Sequence, residues 1–428
     1  MPGRVTDSAL PGPDQALEVA AVIGFQLARS AIWSGERCSW LDGVAVAPGQ
    51  NPAISAMVGA DVYGGSSGIG WFLAQAAART GDPLLRRTAV AALRQAAARS
   101  GDLAVSAPHG FYGGAAGIGA ALVAAGLELD DDQAVAAGRT LLLAIPAELA
   151  DIHLTDLISG LSGDILAFAL AAAALGGDQA LLARATETAG RLLALGQRDG
   201  AGNLSWATVP DRRANLTGFG HGAAGIAHGL LVLDSMAPDA GLREAAAAAF
   251  AYEAGAFDPG HCNWPDYRLL QGYPSDQLSF PVAWCHGAGG ILRSRLIAAT
   301  AGLDVAHDIA AGLAASAAEV TRALGSAQSD FTLCHGILGL ADGLLDAARQ
   351  GHGLGLAPLA AAARQGLEIH HQGELPWPSG LLTREEASGL MIGNAGIGHF
   401  YLRLADPALE SLLAPGASLI RPRPPTRG

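Results

Sequence analysis

The stretch YGGSSGIG, residues 63–70, decides the fold, because its glycine pattern returns six more times along the 428-residue chain. The seven turns are YGGSSGIG from Tyr63, YGGAAGIG from Tyr112, SGLSGDI from Ser159, GHGAAGI from Gly220, CHGAGGI from Cys285, CHGILGL from Cys334 and IGNAGIG from Ile392. Successive turns are 46 to 65 residues apart, counted between the first glycines of their G-x-x-G cores. Because each interval has room for two helices, the repeat predicts an array of seven helix pairs.

The segments between the turns differ in charge, and this difference predicts two helical layers. Residues 83–101, PLLRRTAVAALRQAAARSG, combine a helical apolar period with a charged face, which is typical of an outer helix. Residues 226–233, IAHGLLVL, follow a turn directly and carry no acidic or basic side chain, as expected of a buried inner helix. A row of helix pairs would expose two apolar ends unless it closed on itself. We therefore predict an all-α (α/α)7 toroid, in which the turn glycines permit positive φ and close backbone contact.

The composition predicts one large domain. The chain is 50% hydrophobic and 15% charged, and the repeat continues without a linker-like break from about residue 14 to about residue 405. We predict a flexible N-terminus at 1–13, a single toroid domain at 14–413 and a disordered tail at 414–428.

The charge and the N-terminal sequence argue against two classes of protein. A formal net charge of −13 argues against nucleic acid as the main partner, because nucleic-acid binding favours a basic patch. Residues 1–13 are polar and proline-rich rather than basic and then apolar, so we predict no secretory signal and a cytoplasmic location. The uncharged run 103–127 has the length of a membrane span, but it contains a GGAAG turn, so we predict toroid wall and no membrane span.

The four cysteines fall into two groups. Cys38 and Cys262 lie in polar or loop-like sequence, and we predict no catalytic role for them. Cys285 and Cys334 each precede a histidine, and they are 49 residues, or one repeat step, apart, so they face the same end of a closed toroid. Two thiolates and one imidazole around Zn²⁺ leave one tetrahedral position open, which is the catalytic pattern. The alternative is that both cysteines are small buried residues at crowded turns.

The turns also resemble a known family, the lanthionine synthetase C-like proteins, or lantibiotic cyclases. The resemblance rests on four motifs in order: DLISGLSG at 156–163, GHGAAGI at 220–226, WCHG at 284–287 and CHG at 334–336. It extends over essentially the whole chain. It implies an α-toroid fold and a zinc-dependent activity that closes thioether rings.

The resemblance also implies the site residues, motif by motif. Cys285, Cys334 and His335 correspond to the family's zinc ligands, and His221 and Asp156 correspond to its acid–base residues. The sequence does not decide which of those two is the acid and which the base.

One position departs from the family pattern. Some relatives have an arginine four residues before the first ligand cysteine, where this chain has Pro281. The positive charge of that arginine is then absent here or comes from elsewhere, with Arg293 and Arg295 as the candidates.

The implied substrate is a ribosomally made precursor peptide whose serines and threonines have been dehydrated by a separate dehydratase. A peptide cysteine adds to the β-carbon of dehydroalanine or dehydrobutyrine and forms lanthionine or methyllanthionine. A free thiol is mostly protonated at neutral pH, and binding to Zn²⁺ removes that proton. The addition leaves an enolate that needs a proton at the α-carbon, a step that suits histidine near neutral pH.

Other functions remain open at this point. A thiol alkyltransferase of the protein prenyltransferase type would use similar zinc chemistry, but it needs an aromatic-lined pocket and only 5% of this chain is aromatic. A non-catalytic peptide-binding scaffold would keep the zinc for stability, but it would need neither His221 nor Asp156. Addition of glutathione to dehydroamino acids in damaged proteins is a variant within the enzyme class.

Several further residues receive weaker predictions. His286 is expected beside the metal ligands or facing the substrate, His228 packed in a helix, and His370 with His371 on the surface or an outer helix. The segments 197–217, 257–283 and 373–390 are expected at the cavity mouth. Their aromatic residues suit either contact with an extended peptide or plain loop capping, and these are Trp206, Trp264, Tyr267, Tyr273 and Trp377.

Overall fold

Each glycine turn leads directly into a buried helix in the computed structural model of the protein, which describes residues 9–45, 53–148, 151, 153–269, 277–326, 330–379 and 386–420. The α-helices of that part of the chain are α1 (Pro13–Ser30), α2 (Ser66–Thr80), α3 (Pro83–Ser106), α4 (Ala115–Glu128), α5 (Asp132–Ala144), α6 (Leu161–Ala174), α7 (Gln179–Ala194), α8 (Ala223–Met236), α9 (Ala240–Ala256), α10 (Ala288–Thr300), α11 (Ala306–Leu324), α12 (Ile337–Arg349), α13 (Leu356–Gly366) and α14 (Asn394–Ala405). The even-numbered helices follow the turns and form an inner layer, and the odd-numbered helices surround them.

The inner layer closes into a ring. Each inner helix packs against the next, and α14 packs against both α12 and α2. The predicted (α/α)7 toroid is therefore confirmed. The seventh pair joins the two ends of the toroid sequence, because α1 is the outer partner of α14.

The inner and outer helices differ in how their N-termini are capped. Four outer helices start at an aspartate that accepts hydrogen bonds from the first backbone N–H groups, and these caps are Asp82, Asp131, Asp178 and Asp239. The inner helices start at a turn glycine with no side-chain cap, for example Gly65 before α2 and Gly114 before α4.

Close approach explains the last glycine of each G-x-x-G core. A Cβ atom on Gly117 would lie 1.6 Å from the carbonyl oxygen of Phe111, and one on Gly225 would lie 1.9 Å from that of Phe219. The same contact, with the residue six positions earlier, recurs at Gly68, Gly163, Gly290, Gly339 and Gly396. These seven glycines are not among those with positive φ, so only the close-contact part of the prediction applies to them.

Backbone hydrogen bonds join neighbouring turns and hold them in a ring at one end of the toroid. The N–H to carbonyl bonds are Tyr63 to Tyr112 (2.9 Å), Gly113 to Ile158 (2.9 Å), Gly220 to Cys285 (2.9 Å), Trp284 to Cys334 (3.0 Å), Cys334 to Met391 (2.8 Å) and Met391 to Tyr63 (2.8 Å). The turns at Ser159 and Gly220 are joined by side chains, which include the His221–Asp156 pair. Residues at the start of each turn therefore gather at this end, called here the turn end.

The chain after α14 folds back into the centre of the toroid. Leu413 accepts a hydrogen bond from the Trp284 indole (2.8 Å), and Leu412 accepts one from the Tyr112 hydroxyl (2.7 Å). Residues 414–416 are buried and 417–419 form a short 3₁₀ helix. The predicted disordered tail is therefore wrong for 414–420, because these residues are packed against inner helices. The rest of the tail, 421–428, lies outside the described residues, as do 1–8 of the predicted flexible N-terminus.

Short strands connect some of the helices. Within the described ranges they form three antiparallel pairs: β1 (Ile32–Ser34) with β2 (Arg37–Ser39), β3 (Leu41–Ala45) with β4 (Ala53–Met57), and β5 (Gln197–Arg198) with β6 (Leu204–Ser205). The run 103–127 consists of the end of α3, a turn and α4, as predicted. None of the helices in the described ranges is long and apolar enough to cross a membrane.

His228 is a packed helix residue, as predicted, and it should make stability depend on pH. It is fully buried in α8, its Nε2 lies 2.9 Å from the Pro415 carbonyl oxygen, and burial lowers its pKa from 6.5 to about 4. In the unfolded chain the His228 imidazole is protonated below about pH 6.5, whereas in the folded chain it is protonated only below about pH 4. Because of His228, the free energy of unfolding should therefore fall by about 3 kcal/mol as the pH is lowered from 6.5 to 4.

We expect His228→Gln to reduce this pH dependence, because glutamine keeps an N–H donor for Pro415 but does not titrate. The measurement is urea unfolding between pH 7.5 and pH 4.5 for both proteins. An unchanged loss of stability in the variant would show that other groups cause it.

Candidate active site

The two predicted ligand cysteines meet at the turn end. Cys285 and Cys334 lie on adjacent turns joined by the Trp284 to Cys334 backbone hydrogen bond, and their thiols are close enough to shift each other's pKa. Cys334 is 2% exposed, and Cys285 is half-buried. Interaction with the neighbouring Cys334 thiol lowers the pKa of Cys285, whereas burial raises the pKa of Cys334 well above its ordinary value. Cys285 is therefore the thiol of this pair that loses its proton more readily.

His335 lies on the same turn as Cys334, but its side chain is exposed. Across the described ranges, no three His, Cys, Asp or Glu side chains are grouped closely enough to hold a metal ion. The chain thus brings the two predicted thiol ligands together and leaves the His335 imidazole apart from them. The zinc ligand set remains a prediction.

His221 and Asp156 form a close pair beside the cysteines. Nδ1 of His221 lies 2.5 Å from Oδ2 of Asp156, whose Oδ1 accepts a hydrogen bond from the Ser159 backbone N–H (2.6 Å). Asp156 is 4% exposed, and the His221 side chain is 27% exposed. Burial works against protonation of His221, but the hydrogen bond and charge of Asp156 raise the pKa of this imidazole above its ordinary value. Because Asp156 occupies Nδ1, Nε2 is the nitrogen that can exchange a proton.

His286 lies beside this pair. Its ring centroid is 5.7 Å from that of His221, and its Nδ1 is 3.9 Å from Oδ2 of Asp266. His286 is buried, and burial lowers its pKa to about 3, so the ring is neutral at physiological pH. Two imidazoles therefore lie side by side next to Cys285, and only His221 is exposed enough to reach solvent.

Tyr63 is a site residue that the sequence analysis missed. Burial, and after it the neighbouring Cys334 thiol, raises the pKa of this phenol above its ordinary value. In the sequence, Tyr63 is marked only as the first residue of the first turn. Tyr112 is the first residue of the second turn, but its hydroxyl donates to the Leu412 carbonyl, so the motif does not show which tyrosine belongs to the site.

Arg268 supplies positive charge to the site, and it was also missed. Its Nη2 lies 2.6 Å from Oδ2 of Asp266, and its charge acts to lower the pKa of both Cys285 and His286. Arg293 and Arg295, the two candidates named for this role, are buried in ion pairs on α10 instead. The expectation that either replaces the arginine missing at Pro281 is therefore wrong.

The tryptophans near the cavity mouth are structural. Trp206, Trp264 and Trp377 are at most 3% exposed, and the indole N–H groups of the first two donate to backbone carbonyls of Leu192 and Glu253. They fit the loop-capping alternative rather than broad contact with a peptide. Tyr267 is partly exposed, and Tyr273 lies outside the described residues.

The remaining two cysteines have no place in this site. Cys38 is buried in β2, its thiol lies 3.6 Å from the Thr88 carbonyl oxygen, and burial raises its pKa to about 12. Cys262 is exposed in a loop.

Comparisons with known proteins agree with the geometry. A family model described as "Lanthionine synthetase C-like protein" matches residues 56–417. The solved structure of a nisin cyclase has a similar fold, with a TM-score of 0.60 and 14% sequence identity over 94% of this chain and 98% of that chain. An unsaturated glucuronyl hydrolase specific for heparin gives a TM-score of 0.40 at 12% identity, over 84% of this chain and 99% of that chain. No curated protein matches by sequence. Because the family model covers most of the chain, the protein belongs to the lanthionine synthetase C-like family.

Proposed function

We propose that this protein is a zinc-dependent cyclase that forms thioether rings in a dehydrated, ribosomally made precursor peptide. Peptide cysteine thiolates would add to dehydroalanine or dehydrobutyrine, which a separate dehydratase supplies. The observation that carries the proposal is the meeting of two thiols from adjacent turns beside a paired His221 and Asp156. Membership of the lanthionine synthetase C-like family supports the same class of reaction.

The donor chemistry fits a zinc ion. Cys285 and Cys334 lie close together on adjacent turns, and His335 follows Cys334 on the same turn. The exposed His335 side chain is not fixed by packing, so its rotamer can adjust when an ion binds. Cys285, Cys334 and His335 would hold the ion, which supplies a Lewis acid that lowers the pKa of a substrate thiol.

The other residues of the site handle protons and charge. Asp156 keeps a proton on Nδ1 of His221, which leaves Nε2 to take a proton from the thiol or to give one to the enolate α-carbon. Tyr63 lies near the Cys334 thiol and would present its hydroxyl to this side of the site. Arg268 adds positive charge on the Cys285 side of the site, where the developing enolate is negative.

The test combines metal analysis with a ring-closure assay. The assay follows a peptide that contains one dehydroalanine and one cysteine, because ring closure removes the free thiol from alkylation without changing the peptide mass. We expect about one zinc per chain and ring closure in the wild type, and loss of both in Cys285→Ala. Cys262→Ser is the matched control, because this exposed thiol lies outside the site.

Each other outcome has a distinct meaning. Zinc without ring closure would favour a non-catalytic peptide-binding scaffold. A metal-free protein that leaves the peptide unchanged would rule out the cyclase proposal.

A further inference from the structure

A pocket lies inside the toroid, on the side away from the turn end. It is bounded by the inner helices α2, α4 and α6 and by the C-terminal segment that folds back after α14. The α6 residues that line it belong to the last turn of that helix, whereas the turn end lies at the first. Its volume of about 340 Å³ is within the range of small-molecule sites. We call this feature the central pocket.

The walls of the central pocket are mostly apolar. The inner helices contribute Val123 and Leu170 to its described lining, and the C-terminal segment contributes Leu412, Pro415 and Leu419. An apolar molecule that leaves water for this surface gains free energy in proportion to the area it buries.

Two hydrogen-bond donors of α2 lie in this apolar lining without an acceptor. Trp71 and Gln75 both line the pocket, and they are four residues apart, so they lie on the same face of the helix. They are only 8% and 4% exposed, yet the Trp71 indole N–H and the Gln75 side-chain NH₂ donate to no acceptor in the described part of the chain. Neither nitrogen is sealed off from the pocket. Donors of residues this buried are usually paired, so the two together indicate a ligand that brings an acceptor.

The orientation of the Gln75 amide is fixed by His399. This histidine is fully buried, and burial lowers its pKa to about 3, so its ring is neutral and has one N–H. Its Nε2 accepts a hydrogen bond from the Leu412 backbone N–H (3.1 Å), so the proton is on Nδ1, which donates to Oε1 of Gln75 (2.9 Å). The NH₂ group is therefore the free end of the Gln75 side chain.

The charges around the central pocket do not suit an ion. Its described lining contains the carboxyl group of Glu410, whose Oε1 accepts a hydrogen bond from the Ser418 backbone N–H (2.8 Å), and no arginine or histidine. This carboxyl group and the carbonyl groups at the end of α6 both oppose an anion. A cation would leave the two α2 donors unpaired, because it offers them no acceptor. An uncharged molecule with an acceptor oxygen fits both conditions.

A polypeptide segment is a poor occupant of this pocket. Each inserted residue would bring a backbone N–H and a carbonyl group that both need partners, and the mostly apolar lining offers too few. A small carbonyl compound needs only apolar walls and the two donors of α2.

We propose that the central pocket binds an uncharged, apolar carbonyl compound, such as a small ketone, whose oxygen accepts hydrogen bonds from Nε1 of Trp71 and Nε2 of Gln75. The pocket contains no residue of the candidate active site, so this inference does not depend on the proposed function.

Two ligands of the same shape test the proposal. Benzylacetone is an uncharged ketone, and hydrocinnamate carries a carboxylate in place of the methyl ketone. Each is titrated with the protein, and binding is followed by broadening of the ligand NMR signals. We expect the wild type to bind benzylacetone with a Kd of about 1 mM or lower, as suits its size, and hydrocinnamate about tenfold more weakly or less.

Two variants assign the binding to the central pocket. Trp71→Phe removes the indole N–H but keeps an aromatic ring, and it should weaken benzylacetone binding about threefold to tenfold. Ala124→Leu fills the pocket from α4 and should abolish binding. The matched controls are Trp33→Phe on β1 and Ala98→Leu on the exposed face of α3, and both should bind as the wild type does.

Three results would overturn the proposal. They are the absence of saturable binding by the wild type, equal affinity for the ketone and the carboxylate, and binding that survives in a folded Ala124→Leu variant. If Ala124→Leu does not fold, the comparison of Trp71→Phe with Trp33→Phe decides, because phenylalanine keeps a ring beside Phe111. Equal affinity in those two variants would then exclude the indole N–H as a donor to the ligand and contradict the proposal.

Discussion

A His221→Asn variant is expected to close thioether rings about 10²- to 10⁴-fold more slowly than the wild type, the range that removal of a general acid–base group covers. Nε2 of His221 is the free nitrogen of an imidazole whose other nitrogen is bonded to buried Asp156. Asparagine keeps a polar group near Asp156 but cannot exchange a proton near neutral pH. Because His221 is not one of the predicted zinc ligands, the variant should keep its metal.

The measurements are single-turnover ring closure and zinc content on the same preparation. His307→Asn is the matched control, because this side chain is 75% exposed on α11. Full activity in His221→Asn would remove the residue from the mechanism. Loss of zinc together with activity would show that it belongs to the metal site instead.

Asp156→Asn extends the same prediction to the pH profile. The hydrogen bond and charge of Asp156 raise the pKa of His221 against the effect of burial, so their loss should lower it. The limb of the rate profile that reports His221 should then move to lower pH. The direction is the same whether His221 acts as the acid or as the base, since either limb is centred on its pKa. A limb that stays in place would mean that another group titrates.

The repeat in the sequence was enough to predict the toroid, because the glycine turns have a fixed steric cause. A Cβ atom on the last glycine of each core would collide with a carbonyl oxygen, so every repeat needs the same residue and the period shows in the sequence. The same repeat placed Cys285 and Cys334 on adjacent turns, where their thiols meet. Features that recur in every helix pair can therefore be predicted from a single sequence.

Features that occur only once along the chain could not be predicted from the repeat. Arg268 and Asp266 lie on a loop between repeats, and nothing in their spacing shows that the loop folds over Cys285. The proline-rich end of the C-terminal segment predicts disorder, but 414–416 are buried and the Pro415 carbonyl oxygen lies against His228, which is far away in sequence. Pairing of α1 with α14 is equally remote in sequence. Each of these contacts depends on ring closure, which brings distant segments together.

The second large effect concerns stability, and it follows from buried charges at the centre of the toroid. Asp342 on α12 is fully buried between Arg293 on α10, at 2.9 Å, and Arg403 on α14. Ser411 also donates a hydrogen bond to Asp342 (2.5 Å), which ties the C-terminal segment to three inner helices. Burial opposes ionisation, but the charges of Arg403 and Arg293 hold the pKa of Asp342 well below its ordinary value.

We expect Asp342→Asn to lower the free energy of unfolding by about 3–5 kcal/mol, because it leaves buried guanidinium charge without its main partner. The measurement is urea unfolding at neutral pH, with Glu187→Gln as control, since its pairs with Arg184 and Arg191 lie on the surface and should contribute little. The loss should also reach the site, because the segment anchored through Ser411 holds the indole of Trp284, the residue before Cys285. Ring closure in Asp342→Asn should therefore fall at urea concentrations that leave the wild type active. Equal unfolding midpoints for Asp342→Asn and Glu187→Gln would contradict this account, since they would mean that the ion network adds no more stability than a surface pair.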